Sequence, residues 1–342
     1  MSADSADDSQ DEGSTLDRVG ILVSPSLEDP TGFAVRAEQL GYDSAWTNEL
    51  WYESGVVRVT DIAANTTSID LGTAILNVYS RSPAVLAMTA ASVDRLSDGR
   101  FTLGVGTSTQ KAIEDLHGMT WDDPNPVRRA HETIELTKEF LSGSGRVEYD
   151  GETFEVADFP ALGQDVPIYH AALGPANRRV VARLCDGWIP HNVPFPDLGD
   201  AFDYIAEHAE EAGRDPDDIT VAPYVPCCVA DDADTARQHL REHVAYYVGN
   251  GEGYRKAVAQ RFPEGADEVA EKWRAGDRPD AAAAVTDEMV ATLGVAGTPE
   301  EARQQLRDVA AIDAIDRPLV VIPNGAEARA DQTLEELAPE KL

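Results

Sequence analysis

The sequence predicts an α/β chain folded as a (β/α)8 barrel with insertions, and three observations carry that expectation. Strand-like and helix-like segments alternate from residue 19 to residue 325. The opening strand, VGILVS at 19–24, is a continuous apolar run of the kind buried on both faces of a parallel sheet. The turn that follows it, Ser24-Pro25-Ser26-Leu27, lacks the glycine-rich fingerprint that a doubly wound dinucleotide-binding sheet carries there.

Taken in order, Thr31 to Leu40 reads as the first helix, closed by Gly41. Tyr42 to Thr47 is the second strand and Val56 to Thr66 the second helix. The third strand runs from Ile69 into Ala74-Ile75-Leu76-Asn77. Pro83 then opens a helix that Asp98-Gly99 stops, and Phe101 to Val105 is the fourth strand, ending at Gly106-Thr107-Ser108. A Pro-rich loop at 121–127 precedes a helix from Val127 to Leu141. Residues 143–163 look like a hairpin with Gly151 in its turn. Residues 166–172 form the fifth strand, Pro175 starts the next helix, and 186–189 are a short sixth strand before the helix Leu198 to Ala212. The seventh strand, 219–230, contains Pro223 and Pro226, so its pairing should be irregular. Residues 231–292 are mostly helical, with an inserted pair of helices near 252–276. Thr298-Pro299-Glu300-Glu301 is a capping-box helix start, and 317–325 hold the eighth strand. The expected organisation is an acidic disordered leader at 1–16, one barrel domain at 17–330 with insertions near 143–163 and 245–290, and a tail at 331–342.

Acidic residues number 62 against 28 basic ones, a net charge of −34. So negative a surface repels nucleic acid and anionic membranes, and neither is expected as a partner. The acid is spread along the chain and not gathered in one tail, a pattern that resembles proteins adapted to concentrated salt, haloarchaeal ones among them. No basic, apolar leader and no run of about 18 apolar residues is visible, so a cytoplasmic location is expected. Cys185, Cys227 and Cys228 form no disulfide framework.

Ligands of parallel α/β sheets gather beyond the carboxyl ends of the strands. Gly104-Val105-Gly106 fails as a dinucleotide motif because Thr109 stands at the third glycine, but Thr107 and Ser108 can offer hydroxyls and amides to a ligand. Asn48 and Glu49 close the second strand between Trp46 and Trp51, where apolar walls could raise a carboxyl pKa and make a proton donor. Gly174-Pro175-Ala176-Asn177 opens a helix whose free amides, beside the small Ala171 and Ala172, suit a phosphate. His191 follows the sixth strand as a mouth residue should, and His170 lies within the fifth. His239 and His243 share one face of what reads as a surface helix, with no third ligand, so no metal site is expected.

Leu71-Gly-Thr-Ala-Ile-Leu-Asn77 with Arg81-Ser-Pro83, followed by Leu96-Ser-Asp-Gly-Arg-Phe-Thr-Leu-Gly-Val-Gly106, resembles the bacterial-luciferase-like superfamily. Ala171-Ala-Leu-Gly-Pro175, Cys185-Asp-Gly-Trp-Ile189, Val295-Ala-Gly-Thr-Pro-Glu-Glu301 and Leu319-Val-Val-Ile-Pro-Asn-Gly325 agree in order. Within it, Asn77-x-Tyr79-x-Arg81-x-Pro83 is similar to the coenzyme F420-dependent branch, above all the 5,10-methylenetetrahydromethanopterin reductases. The resemblance implies a TIM barrel, a non-prolyl cis peptide at Ala74-Ile75, and hydride transfer between F420 and an organic substrate, foremost a methylene-tetrahydropterin of folate or methanopterin type. It implies that Ala74, Ile75 and Leu76 back the deazaflavin and that Asn48 and Glu49 meet its polar edge. Thr107, Ser108, Ala172, Leu173, Gly174, Pro190 and His191 would hold its ribityl-phosphate side. It also implies a homodimer or higher homo-oligomer. The chain departs from the pattern at Leu22, where the reductases carry a glutamate, and at Asn48-Glu49, where many F420 enzymes carry Asp-His. Glu49 is then the candidate proton donor. An FMN-dependent monooxygenase and a non-catalytic F420 or flavin carrier are the alternatives.

Overall fold

The computed structural model describes Leu16 and residues 18–50, 52–121 and 125–342. The leader expected at 1–16 therefore lies outside the described residues except for Leu16, which packs against the core. Trp51 and residues 122–124 of the Pro-rich loop also lie outside them.

Thirteen strands occur among the described residues. They are β1 (Gly20–Val23), β2 (Ser44–Thr47), β3 (Asp70–Thr73), β4 (Leu76–Asn77), β5 (Phe101–Gly106), β6 (Arg146–Asp150), β7 (Glu155–Pro160), β8 (Ile168–Ala171), β9 (Gly187–Trp188), β10 (Thr220–Val221), β11 (Tyr224–Val229), β12 (Val295–Gly297) and β13 (Leu319–Val321). The parallel order is β10-β9-β8-β5-β3-β2-β1-β13-β11-β12, with β4 on β5. β10 and β11 are one stretch of chain interrupted at Ala222-Pro223. Ala222 N–H donates to the Trp188 carbonyl at 2.8 Å, and Leu319 N–H to the Pro223 carbonyl at 2.8 Å. The seventh chain segment therefore hands over from one neighbour to the other, and the pairings run full circle. Proline, which has no N–H to give to a ladder, stands at the changeover.

Register sets the interior. Leu22 lies beside Trp46 on one side and Val321 on the other, and all three are buried with Ala74, Tyr169, Ile189, Ala222 and Leu319 inside the ring. Trp46 pairs with Gly72, and a Cβ on that glycine would lie 2.2 Å from the indole, so the small residue makes room for the large one. The larger core fills the layer between strands and helices.

Eight helices follow the eight segments: Pro30–Gln39, Gly55–Asn65, Pro83–Leu96, Pro126–Ser142, Pro175–Leu184, Leu198–Glu211, Pro299–Ala310 and Ala330–Glu336. The seventh of these starts with the expected capping box at Thr298 and Glu301. The last corrects the tail expected at 331–342. Those residues carry the eighth barrel helix, pinned by Arg36 to Asp331 and Glu335 and by the Tyr42 hydroxyl to the Leu334 carbonyl. The hairpin expected at 143–163 is β6-β7, antiparallel, with its turn held by Glu132 accepting from the amides of Glu152, Thr153 and Phe154. Where a pair of inserted helices was expected, the helix Ala233–Asn250 is followed by four short ones: Glu252–Ala259, Pro263–Arg274, Arg278–Ala283 and Asp287–Leu293. The short β12, not foreseen in the sequence, pairs with β11.

Candidate active site

Between β3 and β4 the chain bulges, and the Ala74-Ile75 peptide there is cis, as expected. Thr73 Oγ1 donates to the Gly104 carbonyl and accepts from the Gly104 amide, both at 2.9 Å, so the bulge is tied to β5 from behind. From the opposite wall, the Tyr224 hydroxyl donates to the Ala74 carbonyl. Asn77 Oδ1 then accepts from the amides of Tyr79 (3.0 Å) and Ser80 (2.7 Å), turning the chain toward Arg81 and the helix that Pro83 opens. The Asn-x-Tyr-x-Arg-x-Pro spacing is thus a bulge followed by a side-chain-capped turn.

Above the carboxyl ends of the strands lies a cavity of about 790 Å³. Six of the expected residues line it: Ile75, Thr107, Ser108, Leu173, Gly174 and His191. Ile75 is the bulge residue and packs on Gly106, where a Cβ would meet Ile75 at 3.1 Å. Ser108 turns the chain in the left-handed region at φ 62°. Gly174 caps the helix Pro175–Leu184 with no side-chain hydrogen bond and with open space where a Cβ would be. That helix end is left free to meet an anion. Asn177, in the helix's first turn, also faces the cavity. His170 stands behind it, fully buried, with Nε2 3.4 Å from Asn177 Oδ1 and Nδ1 3.1 Å from the Val105 carbonyl. It supports Asn177 and does not line the cavity itself.

The other expected contacts are not brought to this cavity. Leu76 and Ala172 are fully buried in the strand–helix layer. Ile75 and Leu173 face the mouth, and one step along the chain Leu76 and Ala172 point to the opposite side, into the strand–helix layer. Ala74 points into the barrel interior. Pro190 is buried, and its carbonyl accepts from the Tyr224 amide. Asn48 lies off the wall, with a buried Oδ1 that has no protein partner.

Glu49 lines a neighbouring hollow of about 560 Å³ with Arg81, Ser54 and His117. Its carboxylate takes both Arg81 Nη1 (2.5 Å) and Nη2 (2.8 Å), the Gly55 amide at 2.9 Å and the Ser54 hydroxyl at 3.2 Å. Burial pushes the carboxyl pKa up, but Arg81 and the two further donors outweigh it, and the net position is below the ordinary carboxylate range. The expected proton donor is therefore a held anion, and that role is withdrawn. Leu22 offers no acid in its place, since it is packed in the barrel core.

His191 sits in a ring cluster that the sequence did not reveal. Its imidazole lies 4.7 Å from Tyr224, 4.3 Å from Tyr247, 5.2 Å from Tyr254 and 5.9 Å from His243, centroid to centroid. His191 Nε2 and both nitrogens of His243 are buried without a protein partner. Burial holds both imidazoles neutral, His191 well below its ordinary value and His243 at about 3. The face of the helix Ala233–Asn250 that carries His243 is thus internal, not exposed as expected, while His239 is half-buried. Among the described residues no three His, Cys, Asp or Glu side chains gather as a metal site, and no helix is long and apolar enough to cross a membrane.

A closed parallel barrel, a cis bulge at the third strand and a mouth cavity floored by that bulge define a class. The family model for luciferase-like monooxygenases matches residues 5–314, and the chain belongs to that family. Among its relatives, the 5,10-methylenetetrahydromethanopterin reductase of Methanolobus tindarius is 32% identical over 284 residues, covering 81% of this chain and 85% of the relative. The structure of the coenzyme F420-dependent tetrahydromethanopterin reductase from Methanopyrus kandleri superposes with a TM-score of 0.79 at 26% identity, over 95% of this chain and 99% of that one. An FMN complex of a type II Baeyer-Villiger monooxygenase from Pseudomonas putida shares the fold at a TM-score of 0.66 and 18% identity, over 95% of this chain and 98% of that one.

Proposed function

We propose that this protein is an F420-dependent oxidoreductase whose substrate is a 5,10-methylene-tetrahydropterin of folate or methanopterin type, reduced to the 5-methyl form. The observation that carries it is the placement of Ile75: the bulge residue floors a cavity whose far side is an uncapped helix end at Gly174. The residues present suit the cofactor. Ile75 offers an apolar rest for one face of a flat ring, Thr107, Ser108 and Gly174 offer amides and hydroxyls to a phosphate, and His191 lines the same wall with its Nε2 buried and unpartnered behind it. When bound, F420 supplies or accepts the hydride. The chain's part is to orient the reactants and keep water from the covered face. Relatives named as methylenetetrahydromethanopterin reductases at about 30% identity support the pterin as substrate.

Titration of the purified protein, in molar salt, with F420 and with FMN tests the cofactor. Tight F420 binding with weak FMN binding is expected, followed, with the reduced cofactor, by oxidation of reduced F420 to F420 coupled to formation of the methyl-pterin without oxygen uptake. Preference for FMN with oxygen consumption makes the chain a monooxygenase instead. Tight F420 binding with no turnover of any pterin makes it a carrier.

A further inference from the structure

A smaller cavity of about 290 Å³ adjoins the larger one, and the two share Ser108, Thr109, Lys111, Asn250 and Tyr254. Beyond Leu50 and Ala112, its remaining wall is Tyr246, Tyr247, Trp273 and Arg278, from the helix Ala233–Asn250 and the short helices after it. Tyr246 meets Tyr247 edge-on at 5.2 Å and Trp273 at 5.7 Å, and Tyr247 meets Tyr254 at 5.2 Å. The indole nitrogen of Trp273 is a buried donor without a partner. Such walls favour a flat, polarizable ring over an aliphatic chain or a sugar.

The charge of the lining is out of keeping with the chain. Carboxylates outnumber cations more than two to one in the sequence. Yet Lys111 and Arg278 line this cavity and no carboxylate does. Both cations rest on neutral groups. Lys111 Nζ donates to Asn250 Oδ1 at 3.3 Å, and Arg278 Nη1 to the Trp273 carbonyl at 2.6 Å, its guanidinium lying 3.6 Å over the Trp273 ring. Among the described residues neither forms an ion pair, whereas Arg255, Arg261 and Arg274 on the same insertion all do. Two cations without carboxylate partners beside an aromatic wall leave a site for an anion carried on a ring.

We propose that this cavity takes the aryl-carboxylate portion of the hydride acceptor, and not the carbon that receives the hydride, with the ring against Tyr246 and Tyr254 and the acid toward Lys111 and Arg278. It rests on the assignment of F420 to the larger cavity, and it narrows the substrate to acidic aryl compounds, away from alcohols and sugar phosphates.

Calorimetric titration of the full chain with 4-aminobenzoyl-glutamate tests it, with and without F420, in molar salt. The ring alone (4-methylaniline) and the acid alone (glutamate) serve as comparisons. The joined probe should bind at least about tenfold more tightly than either half. Arg278→Gln and Tyr246→Leu should each weaken it by about five- to tenfold while leaving F420 affinity unchanged. Both positions reach solvent, and thermal melts of the two variants are the check that they fold. Equal binding of the probe by wild type and both variants overturns the proposal, and so does a loss of F420 affinity in Arg278→Gln, which would give the cavity to the cofactor's own acidic arm. Failure of F420 to bind the wild type overturns the cofactor assignment instead, and the probe titration on cofactor-free protein still decides the aryl site.

Discussion

At Glu49, desolvation favours the neutral carboxyl while Arg81, Gly55 and Ser54 favour the anion, and the anion prevails. Glu49→Gln leaves Arg81, 18% exposed, facing an uncharged partner. That loss is expected to cost about 1–3 kcal/mol, read as a lower urea midpoint. Turnover per folded molecule should persist, because no proton has to leave this carboxyl. The carboxyl's folded pKa is depressed, so its stabilisation is complete above the ordinary value of 4.5 and is lost as pH falls below it. The gap in midpoint between wild type and variant should therefore close in acid. His243 acts over a higher range. Burial lowers it to about 3 against 6.5 in the unfolded chain, so its contribution is whole above pH 6.5 and drains away as pH falls toward 3. The slope is at most about 1.4 kcal/mol per pH unit. His243→Leu should flatten that slope in urea melts between pH 7.5 and 5, and an identical slope in the variant would show that the imidazole takes no part.

Among the elements, β3, its bulge and β5 form the least forgiving contact. A Cβ on Gly104 would lie 1.7 Å from the Thr73 carbonyl oxygen, which is backbone and cannot swing aside. Gly104→Ala is expected to cost about 3 kcal/mol or more, or to prevent folding, as judged by circular dichroism and soluble yield. Gly174→Ala enters open space and should leave the melting temperature nearly unchanged. Much of this architecture was legible in the sequence, because buried parallel strands and capped helices leave periodic, punctuated patterns. Pro83, Thr298 and Gly99 each mark a boundary the structure keeps. The helix Ala330–Glu336 was missed because its apolar positions are few and its anchors, Arg36 and Tyr42, lie far back in the chain. The site was half legible. Placement at strand ends identified Thr107, Ser108, Gly174 and His191, the family resemblance added Ile75 and Leu173, and strict alternation along the strands would have removed Leu76 and Ala172. The pairing of Glu49 with Arg81, and of His191 with His243, is made by loops and an inserted helix that only the tertiary fold brings together. Arg241 and Glu242 disguised the helix carrying His243 as a surface one.

Over the whole molecule, a net charge of −34 means that self-repulsion opposes the folded state. Raising salt from about 0.1 M to 1 M shortens the screening length from about 10 Å to 3 Å, so the melting temperature should climb with salt. The cavity proposed for the cofactor is lined by Glu114, Asp115 and Glu252 against Lys111 and Arg274. Affinity for anionic F420 should therefore strengthen with added salt, the reverse of ordinary ion-pair binding, and fluorescence titration at two salt concentrations checks this. Val57, Val85, Met88 and Leu96 stand exposed on the neighbouring helices Gly55–Asn65 and Pro83–Leu96. Self-association through these apolar side chains is expected in salt, and light scattering at the mass of a single chain would exclude it. The hydroxyl of Tyr224 also reaches across the barrel to the bulge while its ring touches His191, which in turn touches Tyr247 and Tyr254. One unbroken column of rings thus joins the bulge proposed to carry the cofactor to the helices that wall the smaller cavity. Occupancy of either compartment should be felt in the other, so the two ligands are expected to bind as a linked pair, each sharpening or blunting the other's affinity by the same factor.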